Sequence, residues 1–419
     1  MSLQQIIAII IFLCTMGAII TGKVHNTVAS LTGVCLVLTH ILSIEDCVDA
    51  VDVETICILV GMMLLVAVIK NSGIFEYIAI KAAKIAKGRP WPIMVIFIFI
   101  TAVCSGMLDN VTTVLLVGPM TLAITNILKV DPVPYIITQI MASNIGGTAT
   151  LIGDPPNIMI GSAAKLSFVD FILNTGVATV FVIIVGLICM YFIYGRKLFV
   201  TDESIVKVMQ LDENKAIKDR KLMHESVIVI ILVALCFIFH DQLGVQSCTV
   251  AIAAACIMLL IGGQEPEEII ADVEWPTILF FIGLFIVVGG MKKVGVITML
   301  ANGLISITHG NMVVTMMVIL WVSAIVSSFL DNIPFVATLI PMILTMQSEG
   351  MDVTPIWWAL SLGACLGGNG TLIGASANVV LSGISKNNGH PITFGQYFKI
   401  GFPMMILSII VCSVFLLIR

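Results

Sequence analysis

The sequence predicts an all-α polytopic membrane protein made of two related halves, and three observations predict it. Of the 419 residues, 59% are hydrophobic and only 11% charged, whereas a soluble domain carries roughly a quarter of its residues as charges. Apolar runs follow one another almost from the first residue, each near the roughly 17–25 residues that a bilayer-spanning helix needs. Three motifs then recur in the same order in the second half of the chain, at offsets of 220, 222 and 221 residues.

In order along the chain, the first half offers spans at residues 4–22, 27–43 and 53–70 and an amphipathic basic stretch at 73–89. A hydrophobic block at 91–128 is interrupted at Leu108-Asp109-Asn110, and a broken span at 135–160 is followed by a long one at 170–194. The first run has no basic stretch ahead of it and leads straight into another span, so it reads as a retained helix and not a cleaved signal. Residues 195–223 are the one long hydrophilic stretch and read as a linker between repeats at 1–194 and 224–419. Spans at 224–240, 246–262 and 275–290 then repeat the order, with a short amphipathic stretch at 292–308. The interrupted block at 311–347, the broken span at 354–385 and a last helix at 397–418 complete it.

The repeated motifs are Val53-Glu54 with Val273-Glu274, and Ser105-Gly106-Met107-Leu108-Asp109-Asn110 with Ser327-Ser328-Phe329-Leu330-Asp331-Asn332. The third pairs Gly146-Gly147, Thr150-Leu151-Ile152-Gly153 and Asn157 with Gly367-Gly368, Thr371-Leu372-Ile373-Gly374 and Asn378. If each interrupted block is a re-entrant hairpin, each half has five spans, and an odd number inverts the second half relative to the first. Placing both termini outside puts sixteen of the twenty Lys and Arg residues in the cytoplasm, leaving Lys165, Lys292, Lys293 and Arg419 outside. That distribution follows the positive-inside rule.

The chemistry is expected where polar residues interrupt apolar spans. Among 25 acids, Asp109, Asp154 and Asp331 lie well inside apolar stretches, where a carboxylate costs about 2.5–3.5 kcal/mol even on lenient insertion scales. Asp109 and Asp331 stand at equivalent hairpin tips, each followed by an amide, Asn110 or Asn332. A carboxylate with neighbouring amide and carbonyl oxygens suits H⁺ or Na⁺ coupling, or each Asp caps the next half-helix. Glycine lets the broken helices approach a ligand, and Pro155-Pro156 ends a helix at Asp154, so the next half-helix is expected from about Asn157. Its free N–H groups and positive end would face a cavity. Ser143, Asn144, Gly146, Gly147, Thr148, Thr150, Asp154 and Asn157 are therefore candidate solute ligands, with Gly367, Gly368, Asn369, Thr371, Ser376 and Asn378 from the second copy. Asp154-Pro155-Pro156 becomes Ala375-Ser376-Ala377 in that copy, so the site is asymmetric by one acid.

Other classes fit less well. Eleven cysteines are scattered without a C-x-x-C pair, no H-E-x-x-H occurs, and no P-loop is present. Enzyme chemistry, a resident cofactor beyond a bound Na⁺, and nucleic-acid binding have no motif to support them. Cys104 and Cys365 lie near the motif regions and read as packing residues.

The run Ser143-Asn144-Ile145-Gly146-Gly147-Thr148-Ala149-Thr150-Leu151-Ile152-Gly153-Asp154-Pro155-Pro156-Asn157-Ile158 resembles the signature of the melanosomal P protein family. That family groups with arsenite efflux permeases, sodium/proton antiporters and citrate-type permeases in the ion transporter superfamily, and the resemblance covers essentially the whole chain. It implies two inverted repeats, a scaffold that often dimerises, and a mobile domain holding the hairpins and broken helices. It would make Asp109, Asn110, Asp331, Asn332 and both glycine motifs the ion and solute site. Divalent-anion symporters carry Ser-Asn-Thr at the tips where this chain has Leu-Asp-Asn. The expected function is secondary active transport of a small inorganic ion or arsenite-like oxyanion, coupled to H⁺ or Na⁺ by an elevator movement in a homodimer. Na⁺/H⁺ antiport, di- or tricarboxylate transport and an ion channel are the alternatives. The expected location is a bacterial or archaeal plasma membrane.

Overall fold

Hydrophobic segments that cannot hydrogen-bond to lipid must satisfy their backbones internally, and helices do so within one segment. The computed structural model describes every residue except Gly22 and the side chain of Asp241. Among the described residues all regular structure is helical. The first half holds α1 (Leu3–Thr21), α2 (Asn26–Leu38), α3 (Val53–Lys70), α4 (Ile74–Ile85) and α5 (Pro90–Met107). It continues with α6 (Asn110–Leu128), α7 (Val133–Thr148), α8 (Pro155–Ala164) and α9 (Val177–Ile193). The second half holds α10 (Arg220–Leu243), α11 (Ser247–Gly262), α12 (Trp275–Lys293), α13 (Val296–Ile307) and α14 (Met312–Phe329). It ends with α15 (Asn332–Ser348), α16 (Thr354–Gly367), α17 (Ser376–Asn387) and α18 (Phe394–Ile418). Each helix of the first half thus has a counterpart nine places later. Even the short helices Ile44–Ala50 and Pro266–Ala271 fall at matching points.

Local sequence explains the boundaries. Proline occupies the first turn of α5, α7, α8, α12 and α16, where its missing N–H is no loss. Asp52 caps α3 through Glu54 and Thr55, and Thr393 forms a capping box with Gln396 at the start of α18. The half-helix α8 begins at Pro155 and not near Asn157, because the two prolines form its first turn as well as ending what precedes them. Nine helices are long and apolar enough to cross a membrane among the described residues, including the hairpin arms α5, α6 and α14. At 18 and 19 residues, α5 and α6 are each about 27 Å long, so arm length alone does not distinguish a re-entrant hairpin from a crossing one.

The halves interlock by reciprocal exchange. Helix α3 packs on α11 while α12 packs on α2; α6 packs on α17 while α15 packs on α8. Within each half the first hairpin arm lies along the broken helix, α5 on α7 and α14 on α16. The helices α1–α3 and α10–α12 form one layer, and the hairpins with the broken helices form another. The layers touch where α8 meets α3 and where α15 meets α12.

The hydrophilic linker is ordered against the first half. Lys84 of α4 bridges Glu213 at 2.6 Å and donates to the Leu211 carbonyl, and the Lys218 amide donates to the Ser72 carbonyl. The helix Asp202–Met209 lies against α4 and α6.

Candidate functional site

At each hairpin tip two residues leave the helical path, and the first residue of the next arm needs a cap. Asp109 supplies it for α6, its Oδ1 accepting from the Thr112 amide at 2.8 Å. Asp331 does the same for α15 through the Ile333 amide at 3.1 Å, and its Oδ2 accepts from the Ser376 hydroxyl at 2.8 Å. Both tip aspartates are therefore caps, whatever else they do. A cavity of about 360 Å³ reaches Asp331 and Ser376, lined also by His25, Asn26 and Thr277.

Each broken helix is folded over one asparagine. The Nδ2 of Asn157 donates to the carbonyls of Gly147, Thr148 and Thr150 at 3.3, 3.2 and 2.8 Å. In the second copy the Nδ2 of Asn378 donates to Gly368 at 2.7 Å and Thr371 at 2.8 Å. These carbonyls lie at the buried end of the helix and in the turn that follows it, where an unpaired polar group costs about 1–3 kcal/mol. The hydroxyl of Thr150 donates to the Gly106 carbonyl, and that of Thr371 to the Ser328 carbonyl, so each loop is tied to its own hairpin. Ser105 donates to the Ser143 carbonyl at 2.7 Å, and Ser327 to the Ala364 carbonyl at 2.6 Å, which fastens α5 to α7 and α14 to α16.

The glycines serve this crossing. A Cβ on Gly147 would lie 2.6 Å from the Gly153 carbonyl oxygen, and one on Gly153 would lie 2.7 Å from that of Gly147. The same contact recurs as Gly374 against the Gly368 oxygen at 2.7 Å. At Gly147 the close partner is thus the protein's own backbone, and at Gly368 it is the Ala375 side chain at 3.1 Å with the Gly374 oxygen at 3.2 Å.

Between the copies lies a buried polar bridge. Asn144 of α7 donates to Asn369 and to Asn378, both at 2.9 Å. The equivalent exchange in the other direction runs from Ser361 and Cys365 of α16 to the Oδ1 of Asn157, at 2.6 and 3.5 Å. Among the described residues the buried Oδ1 of Asn144 has no hydrogen-bond partner. Thr148 donates to the Asn144 carbonyl at 2.6 Å.

Asp154 stands at the junction of all four elements. Its carboxylate accepts from Asn110 at 3.2 Å and from Asn332 at 3.4 and 3.2 Å, so one acid joins both hairpin tips. It occupies the N-cap position of α8 without capping through its side chain, and it is 1% exposed. Its partners Asn110 and Asn332 directly follow Asp109 and Asp331 in the chain, so the three carboxyls belong to one cluster. Among the described residues, neither the hydrogen bonds nor the ion pairs of this cluster involve Lys or Arg, and no cluster of three or more His, Cys, Asp or Glu side chains could hold a metal.

The structure joins Asn110, Asp154 and Asn332 in one set of hydrogen bonds and Asn144, Asn369 and Asn378 in another, ties Asp331 to Ser376, and sets Gly146 and Gly367 against Ala102 and Ala324 of the hairpin arms. It also adds Ser105, Ser327, Ser328 and Ser361, small hydroxyls that look like ordinary helix-packing residues in the sequence. Ser105 and Ser327-Ser328 open the repeated hairpin motif, and that position was the available signal.

The citrate transporter (CitMHS) family matches residues 16–363. An uncharacterized transporter of Mycobacterium bovis (strain ATCC BAA-935 / AF2122/97) is 40% identical over 99% of both chains. The P protein of Homo sapiens is 31% identical over 99% of this chain and 60% of its own length. The crystal structure of the Alcanivorax borkumensis YdaH transporter, described as having an unusual topology, superposes with a TM-score of 0.59 at 14% identity, covering 86% of this chain and 84% of that one.

Proposed function

The chain belongs to the citrate transporter (CitMHS) family of secondary transporters, and on that premise we propose that it moves a small inorganic ion or arsenite-like oxyanion across the membrane, coupled to H⁺ or Na⁺. The observation that carries this reading is the makeup of the central cluster. Three carboxyls, Asp109, Asp154 and Asp331, gather with amides and hydroxyls and, among the described residues, without a Lys or Arg partner. A multivalent anion would enter a field of like charge there, whereas a cation, a proton or a small weakly acidic solute would not. The solute is held between the two broken-helix loops and the hairpin tips, and the carboxyls engage the coupling ion.

The reciprocal packing supports an inverted-repeat arrangement in which the hairpins re-enter from opposite sides. The layer of α1–α3 and α10–α12 is then the scaffold, and α5–α8 with α14–α17 the part that moves, in an elevator cycle within a homodimer. A citrate-like substrate is the second reading, favoured by the family's description.

The test is flux in proteoliposomes containing the purified chain, with arsenite, citrate and Na⁺ as probes under imposed H⁺ or Na⁺ gradients. Gradient-driven accumulation or extrusion of arsenite is the expected result. Concentrative citrate movement alone would give the second reading, and Na⁺ movement against H⁺ without another solute would make the chain an antiporter. Fast flux indifferent to any counter-gradient would make it a channel.

A further inference from the structure

We propose that Asp154 is the proton carrier of the transport cycle, while Asp109 and Asp331 serve as helix caps at the tips. The inference deepens the transporter reading above and rests on it.

The three acids differ in what their oxygens already do. Asp109 and Asp331 accept from backbone amides of the helices they open, a structural task that Asn performs about as well. Asp154 also precedes a helix, yet makes no side-chain cap. Its carboxylate instead points across the molecule to the amides of Asn110 and Asn332, one from each hairpin. It has no counterpart in the second copy, where Ala375 stands, so the repeat did not require an acid at this place for folding.

Its partners suit a proton. Both carboxyl oxygens face Nδ2 donors. An amide serves either state of an acid. It donates to a carboxylate through N–H, and after a half-turn about its terminal bond it accepts the acid O–H through its carbonyl. Asn110 and Asn332 can thus hold Asp154 charged or neutral, and each change of state must reorient an amide on a hairpin tip. The step is a proton from one aqueous face adding to a carboxylate oxygen and later leaving to the other face, with one proton per cycle. The other titratable groups whose influence reaches Asp154 are Asp109 on the first hairpin, Asp331 on the second and Cys365 on α16.

Infrared difference spectra of the purified chain in lipid, recorded in Na⁺-free buffer between about pH 4 and 9, test this without knowledge of the solute. One carboxylic acid band at the high frequency of an apolar site should appear as the pH falls. It should be absent from Asp154→Asn, shifted in Asp154→Glu, and present in Asp109→Asn and Asp331→Asn. Survival of the band in Asp154→Asn, its loss from either tip variant instead, or its absence from the unmodified chain would overturn the assignment. If Asp154→Asn does not fold, an unshifted band in Asp154→Glu would overturn it equally. In proteoliposomes with arsenite as probe, Asp154→Asn should lose the whole of the acceleration that a pH gradient gives. An unmodified chain that moves no solute would defeat the transporter reading, while the infrared result would still judge Asp154.

Discussion

Asn157 and Asn378 show how far residue type carries the argument. Their polarity within apolar spans marked them as candidate solute ligands, but both amides are occupied in holding buried carbonyls. Replacing Asn157 with alanine strips the donor from three buried carbonyls and should cost about 1–3 kcal/mol for each one that water cannot reach. Thermal unfolding in detergent should therefore fall by several degrees for Asn157→Ala and Asn378→Ala, and stay unchanged for Ser382→Ala, a half-buried residue whose hydroxyl donates to the Val379 carbonyl of its own helix. Unaltered melting in both asparagine variants would return these side chains to the solute. The location of the site was legible because polar residues in apolar segments are costly and therefore few. The partners were not legible: Asn144 meets Asn369 and Asn378 across more than 220 residues of chain, and no local pattern encodes which member of a repeat bonds to its own half and which to the other. The uneven roles of three similar aspartates have the same origin, since a cap and a cross-molecule acceptor look alike until the carboxylate's direction is known.

At the scale of the element, each broken helix is a crossing of two backbones, and the glycines are set by that crossing. Gly153→Ala would push a methyl against the oxygens of Gly147 and Ser105, both 2.7 Å from its place. Overpacking of this kind costs about 1–3 kcal/mol, so Gly153→Ala and Gly147→Ala should lower the melting temperature, whereas Gly303→Ala, whose added Cβ meets open space, should not. Equal melting of all three would mean the loops can part freely. The linker offers an element-level test outside the membrane. The Lys84 ammonium holds the Glu213 carboxyl below the ordinary carboxylate range. A depressed folded-state value means that this tie is fully present above the unfolded Glu value near 4.3 and is lost as the pH falls through the lower folded value. Lys84→Met should therefore expose the linker to protease at neutral pH, while the unmodified chain should resist until strongly acidic pH. Helix positions followed closely from apolar run length and capping residues. The start of α8 did not, because a Pro-Pro pair can end one helix and open another, and only the fold decides where.

Across the whole molecule the sequence repeat becomes a physical exchange of partners: α2 and α3 pack on α12 and α11, and α6 and α8 pack on α17 and α15. Offsets of 220 to 222 residues made the duplication readable, but the exchange was not, because either half could have closed on itself with the same hydrophobic pattern. The exchange has a consequence for sidedness. In the proposed arrangement of five spans per half, α7 with α8 would cross the membrane in one direction and α16 with α17 in the other, which would place the residues after α8 and after α17 on opposite faces. Single cysteines placed in a cysteine-free background, in which the eleven native thiols are replaced, should report this through a membrane-impermeant maleimide. Positions 129, 207 and 388 should label from the cytoplasmic face, and 165, 309 and 349 from the outside. A cysteine at Leu108, which is 5% exposed at the first tip, should label from neither face in the closed state. Labelling of 165 and 388 from the same face would remove the inversion and with it the elevator arrangement. Ready labelling of Leu108→Cys from the outside, with 129 still cytoplasmic, would show that α5 and α6 cross fully and that the first hairpin is not re-entrant.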